Sequence, residues 1–143
     1  MFERINNTFQ PDAYVVQCGA DSLVGDPLGG FNLTPGGMKG CIELILKSAN
    51  EKPCLFLGGG GYDRANAARY WAILTSIIIG YAENDKNNLL PNDIPDNPFF
   101  HLYGPSFELK ICKGLRKNEN KNDEIQNVMD TIQLTLTDKT LTS

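Results

Sequence analysis

The sequence predicts an α/β fold in which parallel strands are flanked by helices. Two short apolar runs, at residues 13–18 and 54–57, have the length of buried strands. Each is followed by a longer segment whose apolar residues recur at helical spacing, giving the order strand, helix, strand, helix. That order implies right-handed crossovers and parallel pairing. With 143 residues, 41% of them hydrophobic and 21% charged, the chain is long enough for one compact core.

The first two helices are predicted from apolar spacing and from start and stop signals. Apolar residues at helical spacing over 2–9 indicate that the sequence starts with the end of a helix, which Pro11 stops. Thr34 and Pro35 are expected to begin the second helix, because threonine can cap a helix and proline suits its first turn. The apolar residues over 38–46 then form one face of that helix.

The second half of the chain is predicted to be less regular. Asp63 can cap a third helix over about 64–80, and the Asn-rich residues 83–93 read as an exposed loop. Residues 107–111 alternate between apolar and polar side chains, which predicts an edge strand. A last amphipathic helix is predicted over about 122–136.

Charge and composition limit the classes of partner. The formal net charge is −4, which argues against direct binding to nucleic-acid phosphates and is compatible with a basic peptide. The longest apolar run, around 72–81, is too short to span a membrane. The four cysteines form no CxxC pair, and Cys18, Cys41 and Cys54 lie in apolar runs. Buried reduced thiols are therefore favoured over a disulfide framework or a zinc finger.

Two loops are predicted to meet at one edge of the sheet. Asp21 lies just past the first strand and Tyr62 just past the second, and sites in open parallel sheets form beyond the carboxyl ends of the strands. A carboxylate there can ligate a cation or act as a base, and a tyrosine hydroxyl can stabilise an oxyanion. By pattern alone Asp21 is equally consistent with a turn cap, and a half-buried core position is the more frequent role for Tyr62.

Four consecutive glycines, residues 58–61, directly precede Tyr62. They cost chain entropy, and they make sense where the backbone approaches a ligand closely or adopts a positive φ. A nucleotide site would need a Gly-Lys-Ser/Thr motif or a GxGxxG followed by a suitable acid, and neither is present. A tight strand-to-helix turn stays open as an explanation. His101, the single histidine, lies far along the sequence and is not assigned to the site.

Five segments carry a resemblance in order and spacing over nearly the whole chain. They are Gln17-Cys18-Gly19-Ala20-Asp21-Ser22-Leu23, Gly25-Asp26-Pro27-Leu28, Phe31-Asn32-Leu33-Thr34, Leu57-Gly58-Gly59-Gly60-Gly61-Tyr62 and Ala68-Arg69-Tyr70-Trp71. Together they resemble the class I zinc-dependent histone deacetylases. The resemblance implies the arginase-deacetylase fold, an α/β fold with a central parallel sheet flanked by helices.

The same resemblance implies an active site and its chemistry. A zinc ion held by two aspartates and one histidine activates water, which hydrolyses the amide of an N-acetyl-lysine. Asp21 matches the second zinc aspartate, and Tyr62 matches the tyrosine that donates to the tetrahedral oxyanion. The substrate-binding positions of the acyl-lysine tunnel are matched by Leu28, Gly59, Gly60 and Gly61.

Other parts of the family's active site have no match in the sequence. The tandem histidines, the Asp-x-His metal pair and the potassium sites belong to the family's N-terminal part, so K⁺ is expected only in a full domain. The resemblance therefore implies that residues 1–143 are the C-terminal part of one catalytic domain, without an internal boundary and inactive when isolated. The alternative is a truncated, non-catalytic relative that acts as an interaction module.

The partners implied by the resemblance are acetylated lysine peptides, from histone tails or other proteins. Location in the nucleus is implied, with the cytoplasm as a second location. Pro27 stands where the corepressor-bound members of the class carry an arginine that helps to bind an inositol phosphate. The chain is therefore expected to resemble another branch of class I and to act without an inositol-phosphate corepressor complex.

Overall fold

The computed structural model describes residues 1–80 and 90–140, with side chains through residue 137. Its elements are α1 (Phe2–Phe9), β1 (Tyr14–Gln17), α2 (Pro35–Ala49), β2 (Cys54–Leu57), α3 (Arg64–Ile78), a short 3-10 helix (Phe100–Tyr103) and α4 (Asn122–Thr140). The predicted α/β order is confirmed. Most of the loop predicted over 83–93 lies outside the described residues. Within them, no helix combines the length and apolarity needed to cross a membrane.

The two strands pair in parallel, as the crossover order predicts. Tyr14 pairs with Cys54 and Gln17 with Leu57, in a sheet that has two strands within the described residues. One face of the sheet packs toward the helices through alternate residues such as Val16 and Phe56. The other face is open. Its apolar side chains are Val15, Leu55 and Leu57, whose exposed fractions are 69%, 55% and 43%.

The helices that flank the sheet begin at the predicted caps. Thr34 adopts an extended conformation and its hydroxyl accepts from the Gly37 amide at 3.4 Å, with Pro35 in the first turn of α2. Asp63 accepts from the Asn66 amide at 3.0 Å and caps α3. These caps fix where α2 and α3 begin, and therefore how long the loops are that connect them to the strands.

The core lies between the inner face of the sheet and helices α2 and α3. Its buried members are Cys18, Ala20, Leu23, Ile42, Ala67, Tyr70 and Leu74. Tyr70 is the largest fully buried side chain, and burial, with smaller effects of Cys18 and Cys41, raises the pKa of Tyr70 to about 12. Of the three thiols predicted to be buried, Cys18 is buried and Cys54 is half-buried. Cys41 is exposed, so the prediction is wrong there.

The irregular segment 90–109 is attached to α3 by a buried arginine. Arg69 is 7% exposed, and its guanidinium donates from Nε to the Glu108 carbonyl and from Nη2 to the Tyr103 carbonyl, both at 2.7 Å. Its Nη1 donates to the Asn66 side chain at 3.2 Å, and the group lies 5.0 Å from the centre of the Tyr103 ring. One planar cation therefore bonds to two backbone carbonyls of the segment, of which the Tyr103 carbonyl also accepts from the Phe107 amide at 3.1 Å.

The edge strand predicted over 107–111 is wrong. Only an isolated antiparallel bridge between Asp93 and Glu108 forms there. Phe107 has a φ of 56°, in the left-handed region, and its ring stacks on Phe100 with centroids 4.7 Å apart. The alternation of side chains in this segment therefore reflects packing of single residues, because a left-handed residue cannot continue an extended strand.

Replacement of Arg69 by lysine is expected to destabilise the protein by about 2 kcal/mol, since an ammonium cannot reach both carbonyls in the fork geometry of the guanidinium. The free energy of unfolding in urea measures this change. Arg64→Lys, at an exposed position on the same helix, is the matched control and should change it little. Equal stability of the Arg69→Lys variant and the parent would contradict the bridging role.

Candidate active site

The loops that follow β1 and β2 meet beyond the carboxyl ends of the strands. The parallel ladder continues past β1, because the Cys18 amide donates to the Leu57 carbonyl at 2.8 Å. Beyond it, the Ala20 amide donates to the Gly60 carbonyl at 2.6 Å. The residues on either side of these bonds, Asp21 and Tyr62, are therefore carried to one edge of the sheet, as the crossover predicts.

The Asp21 carboxylate lies directly against the glycine loop. A Cβ atom added to Gly60 would overlap this carboxylate and would stand 2.6 Å from its Cγ. A Cβ atom added to Gly19 would stand 2.8 Å from Asp21 Oδ1. Asp21 is partly exposed, so its carboxylate is held between two glycines with one side open. Glycine at position 60 is what leaves room for the carboxylate in this place.

Two features of the structure favour glycine at position 61. Its φ is +143°, a conformation that L side chains rarely adopt. An added Cβ would also lie 2.8 Å from the Cβ of Ala20 and 3.1 Å from that of Ala67. The glycine at this position therefore allows close packing between the two loops and the start of α3. Gly58 differs, because its nearest neighbour would be Trp71 Cζ2 at 3.9 Å.

A second aspartate joins the two loops. Asp26 is 9% exposed, and its Oδ1 accepts from the amides of Leu28 and Gly29 at 2.9 and 2.7 Å. Its Oδ2 accepts from the Tyr62 amide at 2.7 Å. Sequence reasoning placed Asp26 in a motif without giving it a role. An aspartate followed by proline and two nearby glycines does signal a side-chain-to-backbone turn, but it does not reveal the bond to Tyr62.

The electrostatics of Asp26 follow from these contacts. Partial burial by itself would raise the pKa of the carboxyl, since it disfavours the charged form. Backbone amides oppose this effect and hold the pKa of Asp26 below its usual range; they belong to Tyr62, Leu28, Gly29 and Asp63. The net result is a carboxylate that is ionised at neutral pH and is stabilised by the amides of two loops.

The side chains proposed for chemistry and for substrate contact are open to solvent. Tyr62 is 54% exposed, so its ring is not a core position. Leu28 is 72% exposed, so in the part of the chain that the structure describes it is not enclosed in a tunnel. His101 lies exposed in the 3-10 helix, within the irregular segment that Arg69 holds.

The zinc ion implied by the resemblance needs more ligands than these residues bring together. Catalytic zinc sites use three protein ligands and a water. Across residues 1–80 and 90–140, no group of three His, Cys, Asp or Glu side chains could hold a metal ion. Asp21 alone therefore does not fit a complete zinc site, and further ligands would have to come from outside the described residues.

The parallel sheet with two joined loops at its carboxyl edge, presenting a carboxylate and a tyrosine, defines an α/β protein with a candidate polar site beyond its strands. Residues 1–78 match the family model of the histone deacetylase domain. The chain therefore belongs to the histone deacetylase family. The expected arginase-deacetylase fold and the resemblance to this family are both confirmed.

Three similar relatives are members of the same family. Histone deacetylase 8 of Danio rerio is 39% identical over 133 residues, which are 93% of this chain and 33% of that protein. Histone deacetylase 8 of Xenopus laevis is 38% identical over 133 residues, 93% of this chain and 38% of that protein. Histone deacetylase 1 of Homo sapiens is 40% identical over 128 residues, 90% of this chain and 25% of that protein.

Two conclusions follow from these values. The chain spans 33–38% of the length of the histone deacetylase 8 relatives, so it corresponds to a part of them. The expected branch of class I was that of histone deacetylase 8. Identity to histone deacetylase 1 is equally high, so the branch indicated by Pro27 stays a prediction.

Replacement of Gly61 by alanine is expected to destabilise the protein by roughly 2 kcal/mol or more, because the strained φ and the overlap with Ala20 both oppose a side chain. Urea unfolding measures the change. Gly58→Ala is the control in the same loop, since its Cβ meets only an ordinary contact. Equal effects of the two substitutions would contradict the packing of the loops described above.

Proposed function

We propose that this chain is the C-terminal part of a zinc-dependent N-acetyl-lysine deacetylase and supplies Asp21 and Tyr62 to its active site. The observation that carries the proposal is the direct contact between the two loops. The Ala20 amide binds the Gly60 carbonyl and Asp26 binds the Tyr62 amide, in a chain that belongs to the histone deacetylase family. The reaction is hydrolysis of the acetyl amide to acetate and free lysine.

The proposed roles follow from the chemistry of each side chain. The Asp21 carboxylate, held against Gly60 and open on one side, is suited to contribute one ligand to a zinc ion whose other ligands lie elsewhere in the enzyme. The exposed Tyr62 phenol is suited to donate to the oxyanion of the tetrahedral intermediate. The proton-handling histidines of the family would also lie outside this chain, whose single histidine is His101.

Substrate contacts are proposed for the two loops. Leu28 offers an exposed apolar surface next to the Asp26 bridge, and the methylenes of an acetylated lysine would pack against it. Gly59, Gly60 and Gly61 are proposed to line the foot of the same tunnel through their backbone, since an added Cβ at each of them would meet protein atoms of the neighbouring loop or of α3. The remaining wall of the tunnel would come from another part of the domain, because Leu28 is open to solvent among the described residues.

The sheet supports the proposal that residues 1–143 are one incomplete domain. Its outer face carries Val15, Leu55 and Leu57, all substantially exposed. An apolar face of this kind is usually covered in a sheet of parallel strands. The chain also spans only about a third of its histone deacetylase 8 relatives. Both observations favour a larger domain in which further elements cover this face and complete the metal site.

The proposed partners are acetylated lysine peptides, which the acidic chain with its net charge of −4 is suited to attract. Direct binding to nucleic acid is not proposed, for the same reason. Pro27 favours activity without an inositol-phosphate corepressor complex. The proposed location is the nucleus, with the cytoplasm as a second location, and K⁺ is proposed only for the complete domain.

Replacement of Tyr62 by phenylalanine should lower deacetylase turnover about 100-fold or more, because the oxyanion loses its donor. The measurement is kcat on an acetyl-lysine peptide, with the zinc-loaded full-length protein that carries this sequence. Tyr70→Phe is the control, since the buried Tyr70 hydroxyl has no hydrogen-bond partner among the described residues and its loss should leave turnover unchanged. Unchanged turnover after Tyr62→Phe would exclude the donor role.

The alternative is a short, non-catalytic relative that acts as an interaction module, and the size of the natural protein distinguishes the two. An antibody raised against residues 114–122 should detect a band well above 15.8 kDa if the chain is part of a complete deacetylase. A single band at 15.8 kDa would favour the module and would remove the basis for autonomous catalysis.

A further inference from the structure

Asp26 uses its two carboxylate oxygens for two different loops. Oδ1 accepts from the amides of Leu28 and Gly29, two and three residues further on, and closes a local turn. Oδ2 accepts from the amide of Tyr62, which is 36 residues away in sequence. A turn-capping aspartate needs only the first set of bonds. The bond from Oδ2 is a separate, long-range link between the Leu28 loop and the glycine loop.

The position of Tyr62 depends on such a link for two reasons. Its side chain is 54% exposed, so packing against neighbours does not orient the ring well. It also follows four glycines, whose backbone has more conformational freedom than that of any other residue. Tertiary bonds to the backbone must therefore hold this segment. They are the Ala20–Gly60 bond and the bonds that Asp26 accepts from the Tyr62 and Asp63 amides.

We propose that Asp26 is a positioning residue that holds Tyr62 in place relative to Asp21 and Leu28. The inference rests on the proposed deacetylase function and adds a residue to it. Asp26 is nearly buried and would act through the Tyr62 backbone. Bonds between a carboxylate and backbone amides are charge-assisted and therefore strong. The Asp26 side chain can thus anchor both the loop that carries Tyr62 and the loop that carries Leu28.

Asp26→Asn tests the link to Tyr62 with almost no change of shape. The side-chain oxygen of the introduced asparagine can still accept from the backbone amides of Leu28 and Gly29. Its NH₂ group then lies against the Tyr62 amide, so that two donors face each other without an acceptor. In the full-length protein, kcat on an acetyl-lysine peptide should fall about 10- to 100-fold, as expected for a misplaced catalytic group, while KM changes by less than about 3-fold. Asp96→Asn, at an exposed position in the irregular segment, is the matched control and should leave kcat unchanged.

A double-mutant cycle separates positioning from a general loss of structure. If Asp26 acts through the Tyr62 hydroxyl, Asp26→Asn should lower kcat by less than about 2-fold when Tyr62 is already phenylalanine. A loss that is equally large in both backgrounds would overturn the proposal, because it would show that Asp26 acts independently of the phenol. Should Asp26→Asn fail to fold in a thermal melt, Asp26→Ser takes its place, since a serine hydroxyl can close the local turn and cannot reach Tyr62.

Hydrogen exchange gives a readout that does not depend on activity. The peptide that contains the Tyr62 amide should exchange at least about 10-fold faster in Asp26→Asn than in the parent, since a protecting bond is lost. Unchanged exchange would overturn the link itself. If the parent protein proves inactive on acetylated peptides, the proposed function fails and the catalytic part of this inference fails with it, while exchange at Tyr62 still decides whether Asp26 holds the loop.

Discussion

Parallel pairing of β1 with β2 is the constraint on which the candidate site depends. The ladder from Tyr14–Cys54 to Gln17–Leu57 sets the register, and the Cys18 and Ala20 amides extend it into the loops. Since the two strands run in the same direction, both loops leave at the same edge. A shift of the register by one residue would turn the inner side chains, such as Val16 and Phe56, to the open face and would separate Asp21 from Gly60.

Close contact between the loops then limits which residues can follow β2. Gly60 leaves room for the Asp21 carboxylate, and Gly61 packs on Ala20 and Ala67 in a conformation that other residues avoid. The same glycines weaken the local preference of the chain for any one conformation. Stability of the loop therefore comes from bonds that cross from one loop to the other, of which the bond from Asp26 to Tyr62 is charge-assisted.

The irregular segment 90–109 is attached to this centre through α3. Arg69 reaches from α3 to the carbonyls of Tyr103 and Glu108 and so holds an irregular segment that has little regular structure of its own. On the other side of the sheet, Val15 and Leu55 remain open. The centre is therefore packed against helices on one face of the sheet and has exposed apolar side chains on the other.

The sequence by itself determined the features that depend on local bonds. Thr34 and Asp63 begin the helices as predicted, β2 has its predicted bounds, and the order of the elements gives the parallel sheet. Only the tertiary structure decided that Asp26 bonds to the Tyr62 amide and that Phe107 interrupts a strand-like alternation. Caps and apolar periodicity involve neighbours within a few residues, so the sequence records them directly. The Asp26 carboxylate and the Tyr62 amide are 36 residues apart in sequence. Their bond depends on how the loops pack after the strands have paired, and no local pattern in the sequence specifies it.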